Sequence, residues 1–286
     1  MNHTHSFQLE NDRMMGYSES GDPKGFPVLF FHGFPGSRLI ATDFHHIAQA
    51  EHCRLIGIDR PGMGLSSFNK QHTILSWADD VQALADHLRI AQFSIIAHSG
   101  GAPFALACAY KMPDRISHVA LVSAMPPVTT PEIRHHMPMG LRILHAFVRN
   151  AFGFSKALMQ LQRKILLRPN VFNKMIQQCP VPDQLILQSA EQVERSILAL
   201  KEAFTQGVLG AAYEFQILSK EWRIPFENIH TPMSIWQGRL DKQVLVSYAE
   251  FYKQKLPHAS LHIFENDAHI STLYHHIEKI IKTAAV

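Results

Sequence analysis

The chain opens with two short stretches in which apolar and polar positions alternate, residues 6–10 and 13–19, with Asn11 and Asp12 between them. Alternation at a period of two around a polar turn predicts an antiparallel strand pair. Compact apolar runs follow at residues 28–31, 54–58, 93–97 and 119–123. They are short, β-branched or aromatic, and apolar on both faces, which predicts buried parallel strands. Helical patterns separate them. Residues 77–88 place Val81, Leu84, Ala85 and Leu88 on one face, and residues 102–111 are good helix formers. Strands alternating with helices predict an α/β fold, a mostly parallel central sheet flanked by helices.

That rhythm breaks after Ser123. Pro126, Pro127 and Pro131 interrupt the chain, and the next convincing strand is residues 233–237. The stretch between reads as helices at about 139–152, 155–167, 183–205 and 210–221. A helical block set into an α/β alternation predicts a lid, so the expected division is a core of residues 1–125 and 223–286 carrying a lid of residues 126–222. The alternation resumes with strands at 233–237 and 261–265 and a last helix at about 270–282.

Composition narrows the class. The 286 residues suffice for one large domain with a full core, and 46% hydrophobic against 18% charged residues is ordinary for a globular chain. A net charge of +3 gives no reason to expect a nucleic-acid partner. Three cysteines, Cys53, Cys108 and Cys179, cannot all pair within one chain, and two lie in apolar stretches, so reduced thiols are expected. The first twelve residues lack an apolar segment behind a basic start, and no apolar run reaches about 18 residues. The expectation is a cytoplasmic protein without a membrane span.

The segment Phe93-Ser94-Ile95-Ile96-Ala97-His98-Ser99-Gly100-Gly101-Ala102 carries the chemistry. A buried strand runs into a serine and two glycines, and a helix of small residues follows. A serine on such a turn has its hydroxyl lifted above the sheet, small neighbours tolerate the strain, and the helix start faces developing negative charge. The hydroxyl needs a base. With 19 histidines in the chain, position must choose among them. His269 follows the last strand and precedes the last helix. Asp241 follows the strand at 233–237. Ligands of open parallel sheets collect at strand carboxyl ends, where Ser99 also falls.

These motifs resemble those of the α/β-hydrolase family along essentially the whole chain. His32-Gly33-Phe34-Pro35-Gly36-Ser37 resembles its oxyanion loop, and Asp59-Arg60-Pro61-Gly62-Met63-Gly64-Leu65-Ser66 its D-x-x-G-x-G-x-S turn. Ala97-His98-Ser99-Gly100-Gly101 resembles its nucleophile elbow, and Gly238 to Asp241 with Ala268-His269 its acid and base loops. The order Ser, Asp, His is the family's. Ala97 and Ala268 stand where the family usually has glycine. Serine at 99 argues against the aspartate-nucleophile members, the epoxide hydrolases and haloalkane dehalogenases. The resemblance implies a lid-bearing serine hydrolase or esterase: Ser99 as nucleophile, His269 as base, Asp241 as its orienting acid, and the backbone N–H groups of Phe34 and Gly100 as oxyanion hole. No cofactor and no metal are implied.

Other residues are weighed and set aside. Asp267 lies on the base's own loop, which makes it a poor second choice of acid. Ser37, Ser66 and Ser123 lack an elbow, Asp59 and Arg60 read as a structural turn, and His32 reads as shaping its loop. The pairs His45-His46, His135-His136 and His275-His276 read as solvated surface, because neighbouring helical residues diverge too far to share a metal. Between Pro126 and Pro182, Arg134, Arg142, Arg149, Lys156, Arg163, Lys164, Arg168 and Lys174 face Glu132 alone. That excess suits a solvated face, or attraction of an anionic or amphiphilic substrate or a membrane surface. Met137, Met139, Leu144, Phe147, Phe152, Met159 and Leu161 are expected to divide between lid core and pocket lining. The substrate expected is a small, mainly apolar or amphiphilic ester or related acyl compound. A lyase, C–C hydrolase, perhydrolase-like or aminopeptidase reaction on the same triad stays open, as does a non-catalytic ligand-binding role.

Overall fold

The computed structural model describes residues 3–256 and 258–285. The opening pair forms as β1 (His3–Gln8) and β2 (Met14–Gly21), joined by a 3-10 turn at Glu10–Asp12. The apolar runs become β3 (Phe26–Phe31), β4 (Cys53–Ile58), β5 (Phe93–His98) and β6 (Ile116–Val122), and after the break β7 (Met233–Gly238) and β8 (Ser260–Phe264). Among the described residues they make one 8-stranded sheet in the order β1-β2-β4-β3-β5-β6-β7-β8. β1 and β2 are antiparallel at one edge, and all pairings from β4 to β8 are parallel. Every predicted strand is present.

Burial on both faces explains the apolar runs. Leu29, Phe31, Ile95 and Leu121 face one core with Trp77, Phe104 and Tyr252; Val28, Phe30, Ile96 and Val122 face the other with Phe44, Ile277 and Ile281. The flanking helices are α1 (His45–Ala50), α2 (Trp77–His87) and α3 (Ala102–Lys111). A 3-10 stretch, Arg38–Phe44, leads into α1.

Between β6 and β7 lie α4 (Pro131–His136), α5 (Met139–Asn150), α6 (Phe152–Leu166), α7 (Pro169–Ile176), α8 (Val181–Leu187), α9 (Ala190–Ala203) and α10 (Leu209–Leu218). The sequence pattern misses α4 and α7, both of which begin on a proline. Proline fits the first helical position, where its missing N–H leaves no bond unmade. The single helix expected at 183–205 is two, because Ser189 caps α9 by accepting from the Gln192 N–H at 3.1 Å. α11 (Val246–Lys255) and α12 (Ser271–Ala284) complete the fold.

The insert has its own small core of Val148, Met159, Phe204, Val208, Ala212 and Phe215. It is bolted to the core loops by polar contacts. Ser37 Oγ donates to the Ala199 carbonyl at 2.9 Å, and Gln206 Nε2 donates to the Gly64 and Ser66 carbonyls. Arg38 Nη1 lies 2.6 Å from both Asp59 and Glu202. No helix among the described residues is long and apolar enough to cross a membrane. Cys53, Cys108 and Cys179 are all free.

Candidate active site

Ser99 sits where β5 ends and a 3-10 turn enters α3, in the left-handed region at φ 51°. A non-glycine residue there carries strain that the surrounding structure must hold in place. Tight packing does so. A Cβ on Gly100 would stand 2.7 Å from Phe34 Cβ and 3.2 Å from the Phe34 nitrogen, and one on Gly101 would meet the Phe31 carbonyl at 2.4 Å. Gly100 and Phe34 are therefore neighbours, as the resemblance requires of the two oxyanion donors. Ala97, where the family has glycine, is fully buried with its strand intact.

His269 follows β8 and precedes α12. Its Nδ1 lies 2.8 Å from Asp241 Oδ2, so Nδ1–H donates to the carboxylate and Nε2 keeps the basic lone pair. Asp241 is fixed in turn: its Oδ1 accepts from the Gln243 and Val244 N–H groups at 2.8 and 2.9 Å, and its Oδ2 accepts from Gln237 Nε2. Burial pulls the His269 imidazole down, but the charge and hydrogen bond of Asp241, then the charge of Asp183, outweigh it and raise its pKa above 6.5. Asp241 moves the opposite way: burial raises it, and His269 and the two backbone donors hold it below 3.8.

The base loop is tied to the serine turn. His98 Nε2 donates to the His269 carbonyl at 3.2 Å, and Ser123 Oγ donates to it at 3.0 Å. Burial, then the nearby His269, push His98 down to about 3, so it is a neutral donor. Ser99 returns a contact through its own carbonyl, which accepts from the Met125 N–H at 3.0 Å.

The residues set aside are engaged elsewhere. Asp267 binds His275 Nδ1 at 2.7 Å and His276 Nε2 at 2.6 Å, not His269. His275 is exposed, as expected of a surface pair, whereas His276 is half-buried and also stacks on Phe264. Asp59 accepts from the Arg38 and Leu65 N–H groups and from Arg38 Nη1. His32 Nδ1 donates to the Gly33 carbonyl at 2.7 Å, and burial first, then the charge of Arg60, hold its ring neutral.

The long-range partners of two residues, Asp183 and Arg60, escaped sequence reasoning. Asp183 on α8 is fully buried, and its Oδ1 accepts from the Ile270 N–H at 3.0 Å, the Ser271 N–H at 2.8 Å and Ser271 Oγ at 2.8 Å. It caps α12 directly behind His269, while its Oδ2 has no hydrogen-bond partner. Arg60, also fully buried, forms a two-pronged pair with Glu214 of α10, at 2.8 and 2.7 Å. An aspartate at the start of a helix behind two prolines and an arginine in a glycine-rich turn give no local sign of partners so distant in sequence.

Beside the serine turn a cavity of about 250 Å³ opens between core and insert. His98, Pro35, Gly36 and Ile270 border it on the core side, and Phe172, Met175, Ile176, Leu187 and Leu200 on the insert side; Asp43, Arg195 and Tyr274 supply its polar lining. None of the insert residues expected to share the lining reaches it. Met137 and Met159 are buried, Leu144 and Phe152 pack on the insert core, and Met139, Phe147 and Leu161 point outward.

Comparison with known proteins bears on the family and the fold. A family model described as alpha/beta hydrolase fold matches residues 27–275. A 2-hydroxymuconate semialdehyde hydrolase of Pseudomonas putida is 23% identical over 267 residues, 88% of this chain and 83% of that protein. A proline iminopeptidase of Arabidopsis thaliana is 29% identical over 108 residues, 37% of this chain. The chain thus spans under a third, 28%, of that relative's length. An esterase from Exiguobacterium antarcticum shares the fold at a TM-score of 0.73 with 17% identity, over 98% of this chain and 97% of that one.

Proposed function

The chain belongs to the α/β-hydrolase family, and from that premise we propose that it is a serine hydrolase cleaving a carboxylic ester or related acyl bond of a small, mainly apolar substrate. The observation that carries the reading is a strained serine at φ 51° and a His269–Asp241 hydrogen bond of 2.8 Å, both at the carboxyl ends of strands of one sheet.

In this reading Ser99 Oγ attacks the carbonyl carbon as His269 Nε2 takes its proton. Asp241 holds the imidazole in the Nδ1–H tautomer and stabilises the cation. The Phe34 and Gly100 N–H groups bind the oxyanion. Breakdown of the tetrahedral species passes the proton from His269 to the leaving alkoxide and leaves an acyl-Ser99. Water, deprotonated by His269, attacks that acyl group; the acid departs and Ser99 Oγ is reprotonated. The helices between β6 and β7 serve as a lid, and the apolar side of the cavity receives the acyl chain.

The test is Ser99→Ala against p-nitrophenyl esters of increasing chain length, with a fluorophosphonate probe to label the serine. Loss of at least about a thousandfold in kcat, with no labelling, is expected. Undiminished turnover in the variant would reject the assignment. The match along 88% of the chain to the Pseudomonas putida hydrolase favours a second reading, in which the same serine and histidine act on a substrate like the one in that relative's name. Product analysis with both substrate types separates the two.

A further inference from the structure

Resting on the serine-hydrolase reading, we propose that Arg60 is a positioning residue for the oxyanion: its guanidinium fixes and polarises the Gly33–Phe34 peptide, whose N–H is the first donor of the hole.

The argument starts from one peptide unit. The Gly33 carbonyl and the Phe34 N–H are its two ends, linked by amide resonance and held in one plane. Whatever binds the oxygen therefore aims the N–H and draws electron density away from it. Two donors bind that oxygen: His32 Nδ1 at 2.7 Å and Arg60 Nη2 at 3.1 Å. Arg60 Nη1 binds the preceding carbonyl, that of His32, at 2.6 Å. Consecutive carbonyls of the loop are thus gripped by one cation. Hydrogen bonds in series strengthen one another, by about 10–30% per bond. The space is closed as well, since a Cβ on Gly36 would stand 2.8 Å from both the Gly33 oxygen and His32 Nδ1.

Burying a guanidinium is costly unless its donors are met in good geometry. Here they are: Nε and Nη2 go to Glu214, Nη1 and Nη2 to the two carbonyls, and the group lies 4.9 Å over the Phe104 ring. A planar fork fits that arrangement, and a lysine ammonium does not. If Arg60 were needed only to fasten the insert, its bond to Glu214 would suffice. Aim at the carbonyl of the peptide whose nitrogen, that of Phe34, lies beside Gly100 assigns it the second role.

The experiment compares Arg60→Lys, Glu214→Gln and the double variant Arg60→Met/Glu214→Gln, which leaves no unpaired buried carboxylate. Each is checked for folding by circular dichroism and Tm, and the parent enzyme is first shown to be labelled at Ser99. Ester kinetics and inhibition by a trifluoromethyl ketone, which forms a serine-bound oxyanion, are then measured. The double variant is expected to lose about ten- to a hundredfold in kcat and in ketone affinity with KM little changed, less than the 10²–10³ typical of deleting a donor outright. Arg60→Lys loses in the same sense and decides the matter if the double variant does not fold. Glu214→Gln, which weakens the fastening but leaves the guanidinium on both carbonyls, loses about tenfold less than the double variant. Equal losses in Glu214→Gln and the Arg60 variants, or losses confined to KM, would make Arg60 a fastener and overturn the proposal. A parent that hydrolyses esters without labelling at Ser99 would instead overturn the functional reading beneath it.

Discussion

Replacing Asp183 tests whether the insert participates in setting up the base. Asp183→Ala removes the acceptor of the Ile270 N–H, the Ser271 N–H and Ser271 Oγ, all within 3.0 Å of one carboxylate oxygen. A buried donor stripped of its partner costs about 1–3 kcal/mol. Against that, the variant also removes Oδ2, which is buried without a partner and whose burial is itself unfavourable. Taking the lower part of the range for each donor and crediting the relieved oxygen leaves a net loss of about 2–4 kcal/mol. That is a large share of the roughly 5–15 kcal/mol that holds a typical protein folded. Asp183→Asn keeps a carbonyl acceptor and should lose less, about 1–2 kcal/mol. Both substitutions delete a negative charge near His269. The sign follows from the protonation that catalysis needs. His269 works as the neutral base, and its pKa is raised because the charges of Asp241 and Asp183 outweigh burial. The other titratable group facing it, His98 on the serine turn, is neutral. Removing the Asp183 charge therefore lowers the His269 pKa, and the acid limb of the kcat/KM profile moves to lower pH in both variants. Urea unfolding and pH–rate profiles read the two effects separately. Stability unchanged within about 0.5 kcal/mol in Asp183→Ala, together with an unmoved acid limb, would refute the reasoning.

Asp241→Asn should lower kcat on the order of ten-thousandfold by admitting the wrong imidazole tautomer, and should shift the acid limb of the residual activity downward; a pH–rate profile with an unmoved limb would contradict the pairing. Maleimide should modify the half-buried Cys179 in the native protein while sparing Cys53, which burial pushes up to about 12, and Cys108, which burial also holds well above its ordinary value. Peptide mass mapping before and after denaturation checks this, and because Cys179 lines the cavity, its modification should raise KM for the longer esters.

The strands were legible in the sequence because parallel strands buried on both faces must be apolar at every position, and Val28, Phe30, Ile95 and Ile96 are all essentially inaccessible. The serine turn was legible because strain and close packing leave few residue types that fit beside Ser99. The insert was harder. α4 starts on Pro131, which reads as a break, α7 starts on Pro169 outside any expected helix, and Met139 and Phe147 have hydrophobic side chains that the fold leaves outside. Long-range polar contacts were out of reach. Asp183 meets Ser271 across 88 positions and Arg60 meets Glu214 across 154, and nothing in either local stretch announces such a partner. The same blindness hid the bonds of His275 and His276 to Asp267, which sits on a loop whose course no periodicity describes.

Asp183, Glu202 and Glu214 lie on three successive helices of the insert, and each ends in a different core loop. The second half of the insert is therefore wired into the parent scaffold, whereas α5 and α6 carry no such carboxylate link. Recombination with relatives should respect that seam. Exchange of residues 139–166 swaps the outer surface and leaves the wiring intact. Exchange of 181–218 removes three buried or half-buried carboxylate acceptors at once and is expected to succeed only when Arg38, Arg60 and Ser271 are re-matched with it.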